Sequence, residues 1–151
     1  MTSVRRRARR AFGASAPVAE LGVRRLLLDT HVWLWWQAGD SRLGARTRQL
    51  VQRASEVRFS VVSAWEIAIK CAIGKLTLPA DANIAAELAH SGFLPLPVEL
   101  AHAEDVRHLP LLHHDPFDRL LVSQARVEGL TLVTADAQLA AYGIAVVDAT
   151  N

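Results

Sequence analysis

The sequence predicts a single α/β domain with three layers, in which helices cover both faces of a central, mainly parallel sheet. Short apolar runs alternate with segments of helical periodicity, an order typical of parallel sheets. The length of 151 residues fits one domain. With 51% hydrophobic and 21% charged residues, the chain has the composition of an ordinary globular protein and can bury a full core.

The first half of the chain is predicted to hold two strands and three helices. Arg25–Asp29 is a short apolar run, typical of a buried strand. The other elements of this half are helices over Thr30–Ala38 and Arg42–Ala54, a strand over Val57–Val61 and a helix over Ser63–Ile73. Gly74 is expected to end the last helix, because glycine is common just after a helix C-terminus.

The second half contains the most strongly marked helix, Pro116–Glu128. Asp115 is a good N-cap, proline is favoured at the first helical position, and Gly129 follows the last residue. The remaining predicted elements are helices over Asp81–His90, Val98–His108 and Asp136–Tyr142, and extended segments over Phe93–Leu96, Leu130–Thr134 and Ile144–Val147.

The net charge of +2 combines two segments of opposite charge. Residues 1–25 hold seven arginines and one acid, whereas residues 26–151 hold ten basic and fourteen acidic side chains. Residues 1–22 have no apolar period, so we expect a disordered arginine-rich tail, with the domain over residues 23–151. Three interpretations of the tail stay open: a basic arm for nucleic acid, a targeting peptide, or an extension from a misplaced start site.

Several protein classes are excluded by composition. The longest uncharged runs, Leu88–Val98 and Ala137–Val147, have 11 residues. A membrane span needs roughly 18 apolar residues, so no membrane partner is expected. The single cysteine, Cys71, rules out an intrachain disulfide and a cysteine-rich zinc site. Because no cleavable apolar leader is evident, we expect a cytoplasmic protein.

Four acidic residues are predicted to meet at one edge of the sheet. Asp29 ends the first strand, and Asp136 lies two residues beyond Thr134, just after a later strand. Glu66 and Asp118 lie near the starts of predicted helices. In open parallel sheets, ligands bind outside the carboxyl ends of the strands. We therefore expect these carboxylates to line a binding site.

Each acid also has a purely structural interpretation. The relevant patterns are N-caps at Asp29, Asp115 and Asp136, a helix-dipole partner at Asp118, and a Ser-x-x-Glu capping box at Ser63 and Glu66. For the four acids together this explanation is weaker. Crowded carboxylates repel one another unless a cation or a proton lies between them.

A divalent cation is the expected partner of these acids, because helix N-termini favour the ionised form of a carboxyl group. All-oxygen ligand sets select Mg²⁺ or Mn²⁺ over Zn²⁺. A cation held in this way activates water and stabilises the charge that develops when a phosphodiester is displaced. The acids therefore predict a metal-dependent phosphoryl-transfer site.

Four short motifs follow one another along the chain. They are Leu26-Leu27-Leu28-Asp29-Thr30-His31, Ser63-Ala64-Trp65-Glu66-Ile67-Ala68-Ile69-Lys70, Asp115-Pro116-Phe117-Asp118-Arg119 and Leu132-Val133-Thr134-Ala135-Asp136. In order and spacing they resemble the motifs of PIN-domain ribonucleases, and within that family those of VapC-type toxins of type II toxin–antitoxin systems. The likeness spans about residues 25–148, and Gly74-Lys75-Leu76 is similar to the subgroup with a DPFDR signature.

The resemblance implies a PIN-like fold and metal-dependent endonucleolytic cleavage of RNA, held in check by a cognate antitoxin protein. We also expect a homodimer. The implied residue roles are ligation of Mg²⁺ or Mn²⁺ by Asp29 and Asp118, completion of the acidic pocket by Glu66 and Asp136, orientation of a carboxylate by Thr134, and capping of the Asp118 helix by Asp115.

Other activities stay open on the sequence alone. His113-His114-Asp115, with Asp136 as a distal ligand, is also typical of HD-type phosphohydrolases, although their fold is all-helical. Otherwise the six histidines show no metal-ligand spacing and are predicted to be surface or core residues. The run ending at Asp29 is similar to the nucleophile strand of haloacid-dehalogenase-like phosphatases, which have a second Asp where this chain has His31. The alternatives are therefore a small-molecule phosphatase and a non-catalytic PIN-like module that binds RNA or protein.

Three tryptophans lie on the first predicted helix. Trp33 and Trp36 are three residues apart and share a helix face, and Trp35 lies beside them. We expect them to pack into the core. The alternative is an apolar face used for dimerisation or for binding an antitoxin helix.

Overall fold

The sheet has five strands in the computed structural model, which describes residues 24–151. The strands are β1 Arg25–Leu28, β2 Glu56–Ser60, β3 Leu94–Leu96, β4 Thr131–Thr134 and β5 Val146–Asp148. Their order in the sheet is β3-β2-β1-β4-β5, and each neighbouring pair is parallel. This confirms the predicted parallel sheet and puts β1 at its centre.

Six α-helices and two 3₁₀-helices connect the strands within residues 24–151. The α-helices are α1 Thr30–Ala38, α2 Ala45–Arg53, α3 Val61–Ala72, α4 Ile84–Ser91, α5 Leu100–Asp105 and α6 Pro116–Glu128. The 3₁₀-helices are Val106–His108 and Ala137–Tyr142. The sheet excludes the all-helical fold of HD-type phosphohydrolases.

Two apolar clusters, one on each face of the sheet, form the core. Side chains alternate along β1, so Leu26 and Leu28 join one cluster and Leu27 joins the other. The first cluster contains buried residues of helices α1 to α4, and the second contains buried residues of α6 and of the second 3₁₀-helix. These contacts confirm the three-layer α/β/α architecture.

Several helices begin at other residues than predicted, because their caps lie elsewhere. Helix α3 starts at Val61, directly after β2, since the Ser60 hydroxyl accepts a hydrogen bond from the Val62 N–H (3.0 Å). The predicted start at Ser63 was therefore wrong. Likewise α4 starts at Ile84, where the side chain of Asn83 caps it, rather than at Asp81.

The tryptophans of α1 pack largely as expected. Trp33 is buried against Phe59, with ring centroids 4.8 Å apart, and Trp36 packs against Phe93 at 5.4 Å. Trp35 is half-buried, with the Arg42 guanidinium 5.1 Å from its ring centroid. The helix thus contributes mainly to the core.

The predicted tail, residues 1–22, and the domain start at residue 23 lie outside the described residues. Within residues 24–151, none of the helices combines the length and the apolar character of a membrane span.

Candidate functional site

Asp29 and Thr134 lie side by side at the carboxyl edge of the sheet. Leu28 of β1 pairs with Val133 of β4, so the residues that follow them become neighbours. The Thr134 hydroxyl donates to Asp29 Oδ2 (2.6 Å), and the His31 N–H donates to Asp29 Oδ1 (2.8 Å). Asp29 is therefore the N-cap of α1, as predicted, and both of its oxygens are fixed in position.

Glu66 reaches the same edge from the second turn of α3. Its Oε1 accepts a hydrogen bond from the Thr30 hydroxyl (2.7 Å), and its Oε2 lies 2.8 Å from Lys70 Nζ, one helical turn later. Only 5% of Glu66 is exposed. The capping-box interpretation of Glu66 was wrong, because α3 begins earlier and this carboxylate faces Thr30 of α1.

Asp118 is placed by the N-terminus of α6. The Asp115 side chain accepts hydrogen bonds from the backbone N–H groups of Phe117 (2.9 Å) and Asp118 (3.4 Å), and Pro116 is the first helical residue. Asp115 is thus the predicted cap. This cap sets the start of the helix, and Asp118 follows in its first turn.

Asp136 is the fourth acid at this edge, and it contacts His113, a residue that sequence patterns did not assign to the site. Asp136 Oδ1 accepts a hydrogen bond from the Gln138 N–H (2.9 Å), which confirms it as the cap of the following 3₁₀-helix. Its Oδ2 lies 3.2 Å from His113 Nε2, and the same nitrogen lies 3.6 Å from Asp118 Oδ2. The only sequence signal for His113 was the run His113-His114-Asp115, which had indicated a different fold.

Burial and mutual repulsion raise the pKa values of two of these acids. Burial is the main cause of the raised pKa of Asp29, and the hydrogen bond from Thr134 opposes it. Burial also raises the pKa of Asp118 to about 7, helped by the negative charges of Asp115 and Asp29. In the metal-free protein at neutral pH, the negative charge of ionised Asp118 therefore has too little nearby positive charge or solvent to stabilise it.

This donor set fits a hard divalent cation. Carboxylate oxygens of Asp118 and Asp136 lie within 4.8 Å of each other, and His113 Nε2 lies within the same distance of both. The charge of Asp29 also acts on Asp118, so the two carboxylates predicted as metal ligands are electrostatic neighbours. Carboxylate oxygens are the preferred ligands of Mg²⁺ and Mn²⁺, and a cation here would relieve the repulsion that raises both pKa values.

The chain is similar to a curated ribonuclease. It is 29% identical over 123 residues to "Ribonuclease VapC22" of Mycobacterium tuberculosis, an alignment that covers 78% of this chain and 91% of the relative.

Solved structures of similar fold include VapBC2 and FitAcB. VapBC2 from Rickettsia felis, bound to a promoter DNA fragment, has a TM-score of 0.63 at 13% identity and covers 83% of this chain and 98% of that chain. FitAcB from Neisseria gonorrhoeae has a TM-score of 0.58 at 20% identity, with 82% and 96% covered. At these identities the likeness is one of fold. The PIN domain model matches residues 26–145, most of the chain, and the chain therefore belongs to the PIN domain family.

Proposed function

We propose that this protein is a metal-dependent endoribonuclease that acts as the toxin of a toxin–antitoxin pair. The observation that carries the proposal is the convergence of Asp29, Glu66, Asp118 and Asp136 at one edge of the sheet, where burial and like charge raise the pKa values of two of them. Membership of the PIN domain family and the likeness to a ribonuclease support it.

In this proposal Asp29 and Asp118 hold Mg²⁺ or Mn²⁺. When bound, the cation supplies an activated water and stabilises the charge that develops on the phosphodiester. Thr134 keeps one oxygen of Asp29 in a fixed orientation through its 2.6 Å hydrogen bond. Asp115 fixes the first turn of α6, which orients Asp118 toward the other acids.

Glu66 and Asp136 shape the pocket and position the water that attacks the phosphorus. Both oxygens of Glu66 already have partners, Thr30 and Lys70, so its position is rigid. Lys70 also brings a positive charge to the edge of an otherwise acidic site. Because residues 26–151 have no basic surplus, we expect the metal-free protein to bind RNA weakly and in a salt-sensitive way.

The partners in this proposal are RNA, a cognate antitoxin and a second copy of the chain, and the compartment is the cytoplasm. Support for the antitoxin comes from neighbours of similar fold, which include the VapBC complexes of Rickettsia felis and Salmonella typhimurium. The domain over residues 23–151 and its tail over residues 1–22 stay a prediction.

Cleavage of a mixed RNA panel by the purified, antitoxin-free protein tests the function. The panel contains messenger, transfer and ribosomal RNA, with EDTA, Mg²⁺ or Mn²⁺, and a generic phosphomonoester in parallel. We expect internal cuts that need the metal. Turnover of the phosphomonoester without cleavage of RNA would indicate a phosphatase, and RNA binding with no metal-dependent turnover would indicate a binding module.

Removing the Thr134 hydroxyl is expected to weaken the metal site without unfolding the protein. In Thr134→Val, Asp29 Oδ2 loses its 2.6 Å hydrogen bond inside a buried environment, and the Asp136 N–H loses its acceptor (3.0 Å). Loss of a hydrogen bond that orients a metal ligand typically costs about 10–100-fold in metal affinity or activity. Thr134→Ser keeps the hydroxyl and is the matched control. Equal cleavage rates for the Val and Ser variants would exclude a role for this hydrogen bond.

A further inference from the structure

A backbone hydrogen bond fixes the tautomer of the His113 ring. The backbone N–H of Asp115 donates to His113 Nδ1 (3.1 Å). A backbone N–H can only donate, so Nδ1 is the acceptor of the ring and the hydrogen of the neutral imidazole lies on Nε2. His113 therefore presents an N–H group, not a lone pair, to the acids of the site.

The loop that carries His113 is held in place by Arg119. The guanidinium donates to the backbone carbonyls of Pro110 (2.9 Å) and His113 (3.4 Å), and also to that of Val106 (3.2 Å). Arg119 lies on α6, one residue after Asp118. Helix α6 thus positions both the imidazole of His113 and the nearby carboxylate of Asp118.

The hydrogen on Nε2 is donated to Asp136, and Asp118 lies just beyond hydrogen-bond distance of the same nitrogen. Asp136 Oδ2 lies 3.2 Å from Nε2 and Asp118 Oδ2 lies 3.6 Å from it. The other oxygen of Asp136 accepts a hydrogen bond from Gln138, so His113 and Gln138 together fix both oxygens of Asp136. The Asp118 carboxylate has only an electrostatic contact with the imidazole.

We propose that His113 is a positioning residue that donates from Nε2 to Asp136 and so keeps this carboxylate beside Asp118 for the cation. This inference rests on the proposed metal site but assigns no ligation to the ring. A metal at Nε2 would need the hydrogen on Nδ1, where the Asp115 N–H already donates. The imidazole is 18% exposed, so most of its surface is removed from bulk water.

Two substitutions separate the two nitrogens of the ring. In His113→Asn, a side-chain oxygen takes the place of Nδ1 and can still accept from Asp115, but nothing donates at the position of Nε2. In His113→Gln, the longer amide places an N–H group near the position of Nε2, but the acceptor for Asp115 is lost. His114→Gln, at the exposed neighbouring position, is the matched control.

Mn²⁺ binding, followed by electron paramagnetic resonance in the absence of RNA, is the test. We expect His113→Asn to bind Mn²⁺ about 10–100-fold more weakly, whereas His113→Gln retains most of the affinity and His114→Gln all of it. In RNA cleavage, His113→Asn should lower kcat with little change in KM. Because the ring is not a ligand, the nitrogen coupling in spin-echo spectra of bound Mn²⁺ should be the same in the wild type and in His113→Asn.

Several results would overturn this role. Wild-type affinity in His113→Asn with a loss in His113→Gln would mean that only the contact with Asp115 matters. Nitrogen coupling assigned to His113 would make the ring a ligand, and no Mn²⁺ binding by the wild type would remove the site itself. If the wild type binds Mn²⁺ but does not cleave RNA, the proposed function fails while the affinities still decide the role of His113.

Discussion

Replacing Asp118 with Asn is expected to reduce RNA cleavage by at least about a thousand-fold, or roughly 4 kcal/mol of transition-state stabilisation. Asp118 lies in the first turn of α6, where several acids act on it and burial removes most of its solvent. Asparagine keeps the shape of the side chain but removes the charge that a cation requires. Single-turnover cleavage with Mg²⁺ or Mn²⁺ measures the effect.

Asp81→Asn is the matched control for this substitution. Asp81 is exposed in the segment between α3 and α4, so the change removes one negative charge without touching the acid cluster. We expect this variant to cleave RNA at the wild-type rate. Full activity of Asp118→Asn, with the circular dichroism of a folded protein, would remove Asp118 from the mechanism.

The same substitution should stabilise the metal-free protein at high pH. The pKa of Asp118 is about 7 in the folded state and close to 3.8 in the unfolded chain, so between these pH values the folded state binds more protons. The free energy of unfolding therefore falls as pH rises from about 4 to about 7. At pH 8, the free energy of unfolding of Asp118→Asn should be about 2 kcal/mol higher than that of the wild type. This figure takes roughly 1.4 kcal/mol per pKa unit and allows for partial screening by solvent.

Urea denaturation in EDTA at pH 4, 6 and 8 measures this difference. The difference in the free energy of unfolding between variant and wild type should increase with pH. When Mn²⁺ is added, its sign should reverse, because only the wild type then gains binding free energy in the folded state. A gap that stays constant across this pH range would show that the carboxyl group of Asp118 titrates normally.

The parts of the fold with strong local signals were predicted accurately. Helix α6 runs over Pro116–Glu128 as predicted, since Asp115 caps it, proline begins it, and Gly129 adopts a left-handed conformation (φ 66°) just after it. The convergence of Asp29 and Asp136 also followed from the sequence. Parallel strands end at one edge, so the residues after them must meet there.

The start of α3 and the place of His113 could not be predicted from sequence patterns. The Ser-x-x-Glu pattern at Ser63 suggested the wrong start of α3, because the chain passes from β2 into the helix with no turn and Ser60 caps it instead. His113 reaches the acids from a loop whose carbonyls accept hydrogen bonds from Arg119. A loop held in this way has no periodicity, so a sequence pattern cannot locate it.

The most direct test of the acid cluster as a cation site is an anomalous difference map from crystals grown with Mn²⁺. We expect one strong peak in contact with carboxylate oxygens of Asp29 and Asp118, absent from crystals of Asp118→Asn. No peak at this edge of the sheet at saturating Mn²⁺ would contradict the metal-dependent mechanism, and a peak held by other residues would contradict the assignment of Asp29 and Asp118 as ligands.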